Sequence, residues 1–313
     1  MSLDPVTRSR LLTIGKFGLA VALIVAILSA VDGREAWRML RSADPAWLLL
    51  AFALLSLQTV LSAVRWRLTA RQLDQRIGLM RAIREYYLSQ VINQSLPGGM
   101  LGDAGRAMRA RGQAGLRLAS LGVALERLAG QVAMAAVMAA GLVAAVAVDG
   151  GLQPPTWLAG TVAAICAGLA GAAFVAHMAG ALPGAVGRAM GGFVVDARRA
   201  LTAPGVLWWQ IGLSLATAAC NLLAFAACAR AIGIALPAGA VAVLVPLILF
   251  AMLIPITVAG WGLREGAAAA LLPLAGTSGA AGLAASVAFG LVFLAAVLPG
   301  LWPLLASRRA TTH

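Results

Sequence analysis

Residues 118–148 read LASLGVALERLAGQVAMAAVMAAGLVAAVAV, an apolar run that contains two charged residues, Glu126 and Arg127. A helix needs roughly 20 mostly apolar residues to cross a membrane, so this stretch predicts a transmembrane helix. Further runs of the same kind bring the expectation to about six full spans. The other runs are residues 11–31, 45–63, 156–178, 205–229 and 279–306.

The composition of the whole chain agrees with this interpretation. Of its 313 residues, 61% are hydrophobic and 11% are charged, whereas soluble domains average roughly 45–50% and 25%. These values exclude a soluble globular enzyme, a disordered tail and a nucleic-acid-binding module. The net charge is +13, and most of the arginines lie in the predicted loops. Cytoplasmic loops of membrane proteins commonly carry such an excess of positive charge. We therefore expect an integral membrane protein with both termini in the cytoplasm.

Two stretches do not fit a simple span. Residues 81–97 are amphipathic and too polar to face lipid, and residues 236–276 are apolar but interrupted by prolines and glycines, including Pro246 and Pro273. Broken helices at membrane depth are tolerated only where protein or water covers the exposed backbone. We predict that both stretches are re-entrant, one from each side of the membrane, in an all-α polytopic fold.

A short internal repeat links these two stretches. Residues 96–106 read LPGGMLGDAGR and residues 254–265 read IPITVAGWGLRE. Each begins with an apolar residue and a proline, has glycine five positions after the proline, and then carries residues of opposite charge. Two predicted spans precede each break and one follows it, so the second half is expected to be inverted. We predict a first repeat over residues 1–150 and an inverted second repeat over residues 151–313, a layout of many secondary transporters.

The stretch from Asn93 to Arg106, with Glu126, Arg127 and Leu128 in the next span, resembles the lysylphosphatidylglycerol synthase membrane region, also called the flippase-like domain family. The later stretch from Pro255 to Gly266 is similar to that family's second motif. The resemblance covers essentially the whole chain. Larger members of the family carry a soluble aminoacyl-transferase or glycosyltransferase domain, which this sequence lacks, so we expect a stand-alone membrane domain.

The resemblance implies movement of lipids between the leaflets of the bacterial cytoplasmic (inner) membrane, and similar stand-alone proteins are linked with hopanoid metabolism. Physically, a helix that begins near Gly102 would favour a phosphate at its N-terminus, and Arg106 or Arg264 could hold that phosphate with two hydrogen bonds. Asp103 paired with Arg264, or Arg106 paired with Glu265, are expected contacts between the repeats. The candidate residues for headgroup binding or gating are Asn93, Pro97, Gly98, Gly99, Gly102, Asp103, Arg106, Glu126, Arg127, Pro255, Gly260, Gly262, Arg264 and Glu265.

Plainer interpretations of the same residues stay open. The breaks could simply let two helices approach closely, the opposite charges could only neutralise each other, and Glu126 with Arg127 could be a structural pair. We assign no site to the loop arginines, among them Arg65, and we interpret Tyr86 as an interfacial anchor.

The leading functional hypothesis is a lipid transporter or flippase, with an anionic or phosphate-bearing lipid favoured and a hopanoid as another substrate. No Walker A pattern occurs, so we expect transport without ATP hydrolysis. One alternative is a non-catalytic membrane partner of a lipid-modifying or hopanoid-pathway enzyme. A less favoured one is a membrane-embedded enzyme acting on lipid phosphates. We expect no catalytic residues, cofactor, metal or nucleic acid, with a homodimer or a partner enzyme as candidate assemblies.

Overall fold

The computed structural model describes residues 18, 22, 25–27, 29, 32–95, 100–112, 114–147, 155–254 and 257–301. These residues form an all-α structure. Its helices are α1 (Gly33–Arg41), α2 (Pro45–Gln72), α3 (Leu79–Ser95), α4 (Leu101–Ala110), α5 (Gly115–Ala147), α6 (Thr156–Gly180), α7 (Gly184–Thr202), α8 (Leu207–Ala231), α9 (Ala238–Phe250), α10 (Leu263–Leu271) and α11 (Gly279–Val297).

Within the described residues, 5 helices are long and apolar enough to cross a membrane. They are α2, α5, α6, α8 and the helical stretch Gly279–Leu301 that contains α11. The prediction of an all-α polytopic membrane protein is confirmed. The first predicted span, over residues 11–31, lies largely outside the described residues.

The first predicted break lies between α3, which ends at Ser95, and α4, which begins at Leu101. Pro97, Gly98 and Gly99 fall between the two helices and lie outside the described residues. Asn93 on α3 connects α3 to α4, because its Oδ1 accepts a hydrogen bond of 2.8 Å from the backbone N–H of Gly102. This side chain therefore satisfies one of the N–H groups that the first turn of a helix leaves unpaired.

The second predicted break lies between α9 and α10. A short 3-10 turn, Ala251–Leu253, follows α9, and α10 begins only at Leu263. Pro255 lies outside the described residues. Pro246 was expected to interrupt the helix, but α9 continues through it. The proline nitrogen cannot donate a hydrogen bond, so the other backbone hydrogen bonds hold α9 on either side of it. Re-entry from opposite sides of the membrane stays a prediction.

The chain forms two compact units, and each is built from stretches that are separate in the sequence. The first unit comprises Met1–Ser56, Tyr87–Gly102 and Asn221–His313, and the second comprises Leu57–Tyr86 and Asp103–Cys220. The inverted repeat divided near residue 150 stays a prediction.

In the first unit, α10 packs closely against α11. Gly282 on α11 makes this possible, because a Cβ there would lie 2.8 Å from the carbonyl carbon of Ala268 on α10. The aromatic rings of Phe225 on α8 and Phe289 on α11 also pack together, with their centroids 5.5 Å apart. This packing brings the start of α10 against the middle of α11.

In the second unit, a buried cluster joins α2, α3, α4 and α5. Its members are Ala63, Trp66, Ala82, Tyr86, Ala107 and Val123. The small alanines let the four helices approach, so polar side chains on the same faces are enclosed together.

Candidate functional site

Glu126 on α5 is fully buried and is the anionic centre of the second unit. Its Oε1 accepts a hydrogen bond of 2.6 Å from Arg65 Nη2, and its Oε2 accepts one of 3.2 Å from Arg106 Nη2. The Tyr86 hydroxyl also donates to Oε1, at 3.2 Å. The carboxylate thus has two cationic partners, as a buried charge requires.

Asp103 extends the array in the other direction. It accepts a hydrogen bond of 3.0 Å from Arg106 Nη2 and forms an ion pair with Arg127. The five groups alternate in sign in the order Arg65, Glu126, Arg106, Asp103, Arg127, which we call the ion chain. Three arginines and two carboxylates leave the ion chain with one net positive charge.

Helix geometry explains how the ion chain assembles. Asp103 and Arg106 are three residues apart on α4 and therefore share a face. Glu126 and Arg127 are consecutive on α5, so their side chains leave the helix in directions roughly 100° apart. Each joins different members of the ion chain: Glu126 pairs with Arg65 and Arg106, and Arg127 pairs with Asp103.

Arg106 is held between two aromatic rings. Its guanidinium carbon lies 4.6 Å from the centroid of the Trp66 ring and 4.3 Å from that of the Tyr86 ring, distances at which a cation is attracted to a ring face. Within the described part of the chain, Arg106 Nε, Arg106 Nη1 and Trp66 Nε1 have no hydrogen-bond partner.

The two ends of the ion chain differ in exposure. The Arg65 side chain is 5% exposed, and its Nη1 donates to Ser214 Oγ at 3.2 Å and to Thr217 Oγ1 at 3.0 Å. Gly130 leaves room for this guanidinium, because a Cβ there would lie 2.9 Å from Arg65 Nη2. The Arg127 side chain is 35% exposed. One end is therefore enclosed and the other is open to the surroundings.

A second cluster lies at the start of α10 in the first unit. Arg264 pairs with Glu265, and Arg264 Nε donates to Glu265 Oε1 and to Ser286 Oγ, each at 3.0 Å. Glu265 Oε2 accepts a hydrogen bond of 2.7 Å from the backbone N–H of Gly262. The Arg264 guanidinium carbon lies 4.9 Å from the Trp261 ring centroid. This pair is electrically neutral, unlike the ion chain.

The loop before α10 has unusual backbone geometry. Ala259, Gly260 and Gly262 have φ values of 51°, 77° and 86°, in the left-handed region that glycine adopts without steric cost. Gly260 also lies against Met252, where a Cβ would be 2.8 Å from the Met252 Cα. Both predicted glycines of this motif therefore have a structural role in the break.

The structure places nine of the predicted candidates in three groups. Asp103, Arg106, Glu126 and Arg127 meet in the ion chain, Gly262, Arg264 and Glu265 meet at the start of α10, and Asn93 meets Gly102. Whether these residues bind a headgroup stays a prediction, as do the pairings of Asp103 with Arg264 and of Arg106 with Glu265.

Two expectations about individual residues were wrong. Arg65 is a buried member of the ion chain and not a loop residue, because α2 continues to Gln72 beyond the apolar run. Tyr86 is a buried donor and not an interfacial anchor. Arg264 and Glu265, although adjacent in sequence, pair with each other, because Glu265 turns back toward the Gly262 N–H and the long arginine side chain reaches it there.

Sequence reasoning also missed three hydroxyl groups, those of Ser214, Thr217 and Ser286. Each lies in an apolar helix one or more turns from any charge, so its partner is visible only in the fold. Glycines opposite the arginines, Gly130 and Gly290, were a usable signal, since they leave space for a bulky side chain. Among the described residues, no three His, Cys, Asp or Glu side chains come together as a metal site would require.

The chain is similar to a known family of membrane domains. The family model for the lysylphosphatidylglycerol synthase TM region matches residues 13–300, nearly the whole chain. No curated protein matches the chain. The buried charges on apolar helices thus occur in a membrane domain related to lipid function, and the chain belongs to the family of the lysylphosphatidylglycerol synthase transmembrane region.

Proposed function

We propose that this protein moves an anionic, phosphate-bearing lipid between the leaflets of the bacterial cytoplasmic membrane without hydrolysing ATP. The observation that carries the proposal is the ion chain, which is buried, has one net positive charge and leaves two donors of Arg106 without a hydrogen bond. The proposal assigns the protein a transport role and no catalytic step, with both termini in the cytoplasm.

The cost of placing these charges in a membrane protein supports the proposal. An Arg or Asp at the centre of a spanning helix costs about 2.5–3.5 kcal/mol on insertion scales, and such residues usually mark substrate pathways. The ion chain offsets part of this cost through its internal pairs. A net charge that its own acids do not neutralise favours the approach of an anion.

The chemistry of the cations supports a phosphate-bearing substrate. The planar guanidinium group presents several N–H donors and is suited to phosphate oxygens. A lipid crossing the membrane has to exchange the water around its headgroup for other polar groups, because an unpaired charge in hydrocarbon is strongly disfavoured. The ion chain supplies such groups, while the acyl chains would remain in the lipid.

The proposal is tested with the full-length protein in vesicles. Fluorescent phosphatidylglycerol placed in one leaflet should exchange to the other at least tenfold faster with protein than without it, as measured by chemical quenching of the outer-leaflet label. Arg106→Gln should abolish most of this increase. Arg199→Gln is the matched control, since Arg199 forms an exposed ion pair with Asp74. Exchange no faster than in protein-free vesicles would refute the proposal.

A further inference from the structure

We propose that the phosphodiester of an anionic lipid headgroup first binds at Arg127, the open end of the ion chain. This inference rests on the proposed function and assigns it a specific point of contact.

The argument begins with how the charges are shared. Each carboxylate in the ion chain lies between two arginines, Glu126 between Arg65 and Arg106, and Asp103 between Arg106 and Arg127. An alternating row that begins and ends with a cation is one anion short of neutrality. A bound monoanion would therefore complete the alternation at one of the two ends.

The structure distinguishes the two ends. The Arg65 side chain is enclosed, and hydroxyl groups of α8 already accept its hydrogen bonds. Arg127 pairs with Asp103 through Nη2, and its side chain is 35% exposed. An anion can reach the Arg127 end without displacing an existing hydroxyl contact.

The surface beside Arg127 suits a lipid. Ala124 and Leu128, which flank Arg127 on the surface of α5, are both exposed and apolar, and Val132 one turn later is 49% exposed. Arg127 thus lies at the border between an apolar stripe and the buried ion chain. A lipid could keep its acyl chains along the stripe while its phosphate contacts the guanidinium group.

The charge of the site indicates the class of lipid. A phosphodiester offers two oxygens to one guanidinium group, as bidentate pairing requires. Phosphatidylglycerol carries this group with no cation, whereas the quaternary ammonium of phosphatidylcholine would lie near three arginines. We therefore expect selection of net anionic lipids over zwitterionic ones.

The test measures binding by native mass spectrometry of the full chain in mild detergent, with phosphatidylglycerol, phosphatidylcholine and inorganic phosphate as separate probes. Wild-type protein should retain phosphatidylglycerol about tenfold better than phosphatidylcholine. Arg127→Gln should remove most of this preference and Arg127→Lys part of it. Arg117→Gln is the matched control, since Arg117 lies on the same helix, is 69% exposed and pairs with Asp196.

Three results would overturn the inference. The first is unchanged selectivity in Arg127→Gln, and the second is an equal loss in Arg117→Gln, which would indicate general attraction by surface charge. The third is displacement of the lipid by inorganic phosphate at equal concentration, which would assign the site to free phosphate. If Arg127→Gln does not fold, Asp103→Asn tests the inference instead. This substitution releases Arg127 from its ion-pair partner, so it should strengthen the retention of phosphatidylglycerol. Weaker retention would overturn the inference.

The two proposals fail in different ways. Selective binding that depends on Arg127, with no acceleration of lipid exchange in vesicles, would leave the binding site and remove the transport function. Exchange that survives Arg127→Gln with wild-type selectivity would leave the transport function and remove the assignment of Arg127.

Discussion

Replacing Glu126 with glutamine should strongly destabilise the protein, because it leaves buried cations without their partner. The substitution preserves the shape of the side chain but raises the net charge of the ion chain from one positive unit to two. Removing one partner of a buried ion pair costs about 3–5 kcal/mol. As a check, two unit charges 4 Å apart interact by about 4 kcal/mol at an effective dielectric constant of 20. Glu126 has two such partners, Arg65 at 2.6 Å and Arg106 at 3.2 Å.

The assay is reversible unfolding in detergent, followed by circular dichroism, with the free energy of unfolding compared between variants. A loss of 3–5 kcal/mol changes the unfolding equilibrium about 150- to 5,000-fold. Glu85→Gln is the matched control, because Glu85 pairs with Arg109 at 2.5 Å but both side chains are partly exposed. Such pairs contribute about 0–1 kcal/mol.

A double variant separates charge from packing. Arg65→Gln combined with Glu126→Gln returns the net charge of the ion chain to one positive unit, so it should be less destabilised than the two single losses added together. If Glu126→Gln costs no more than Glu85→Gln, the ion chain does not hold the second unit together and the electrostatic reasoning is refuted.

Two further predictions concern the first unit. Gly290→Ala should destabilise it by about 1–3 kcal/mol, because the added Cβ would collide with the Arg264 guanidinium. Thermal unfolding in detergent measures this loss, and Gly212→Ala is the control, since a Cβ at Gly212 meets nothing within 4 Å. Equal destabilisation by both substitutions would contradict the predicted collision. Asn93→Leu should lower the free energy of unfolding by about 1–3 kcal/mol, since it leaves the buried N–H of Gly102 without an acceptor. Asn93→Asp keeps an acceptor and should cost less in the same assay. An equal loss of stability in both variants would rule out the hydrogen bond as the cause.

The long apolar helices could be predicted from the sequence because a spanning helix depends on hydrophobic length alone. Residues 118–148 were expected to span, and α5 covers Gly115–Ala147. The end of α2 could not be predicted in this way. Hydrophobicity falls after residue 63, but the helix continues because Arg65 pairs with Glu126 and Trp66 packs in the buried cluster with α3, α4 and α5.

The candidate site was predictable in its residue types and less so in its contacts. Asp103 and Arg106 share a helix face by spacing alone, and their pairing follows from that geometry. Partners from different helices, such as Arg65 with Glu126, depend on packing over many residues of sequence separation. Pro246 shows that a residue type can also mislead. Proline commonly breaks a helix, but Pro246 lies within α9.

The glycines opposite the two buried arginines give these membrane helices an unexpected property. Gly130 faces Arg65 and Gly290 faces Arg264, and in both places the guanidinium group lies directly against bare main chain. A glycine within an apolar helix is commonly interpreted as a point of bending or of helix-to-helix approach. Here it acts as a recess for a charge, so natural variation at Gly130 and Gly290 should be as restricted as variation at the arginines themselves.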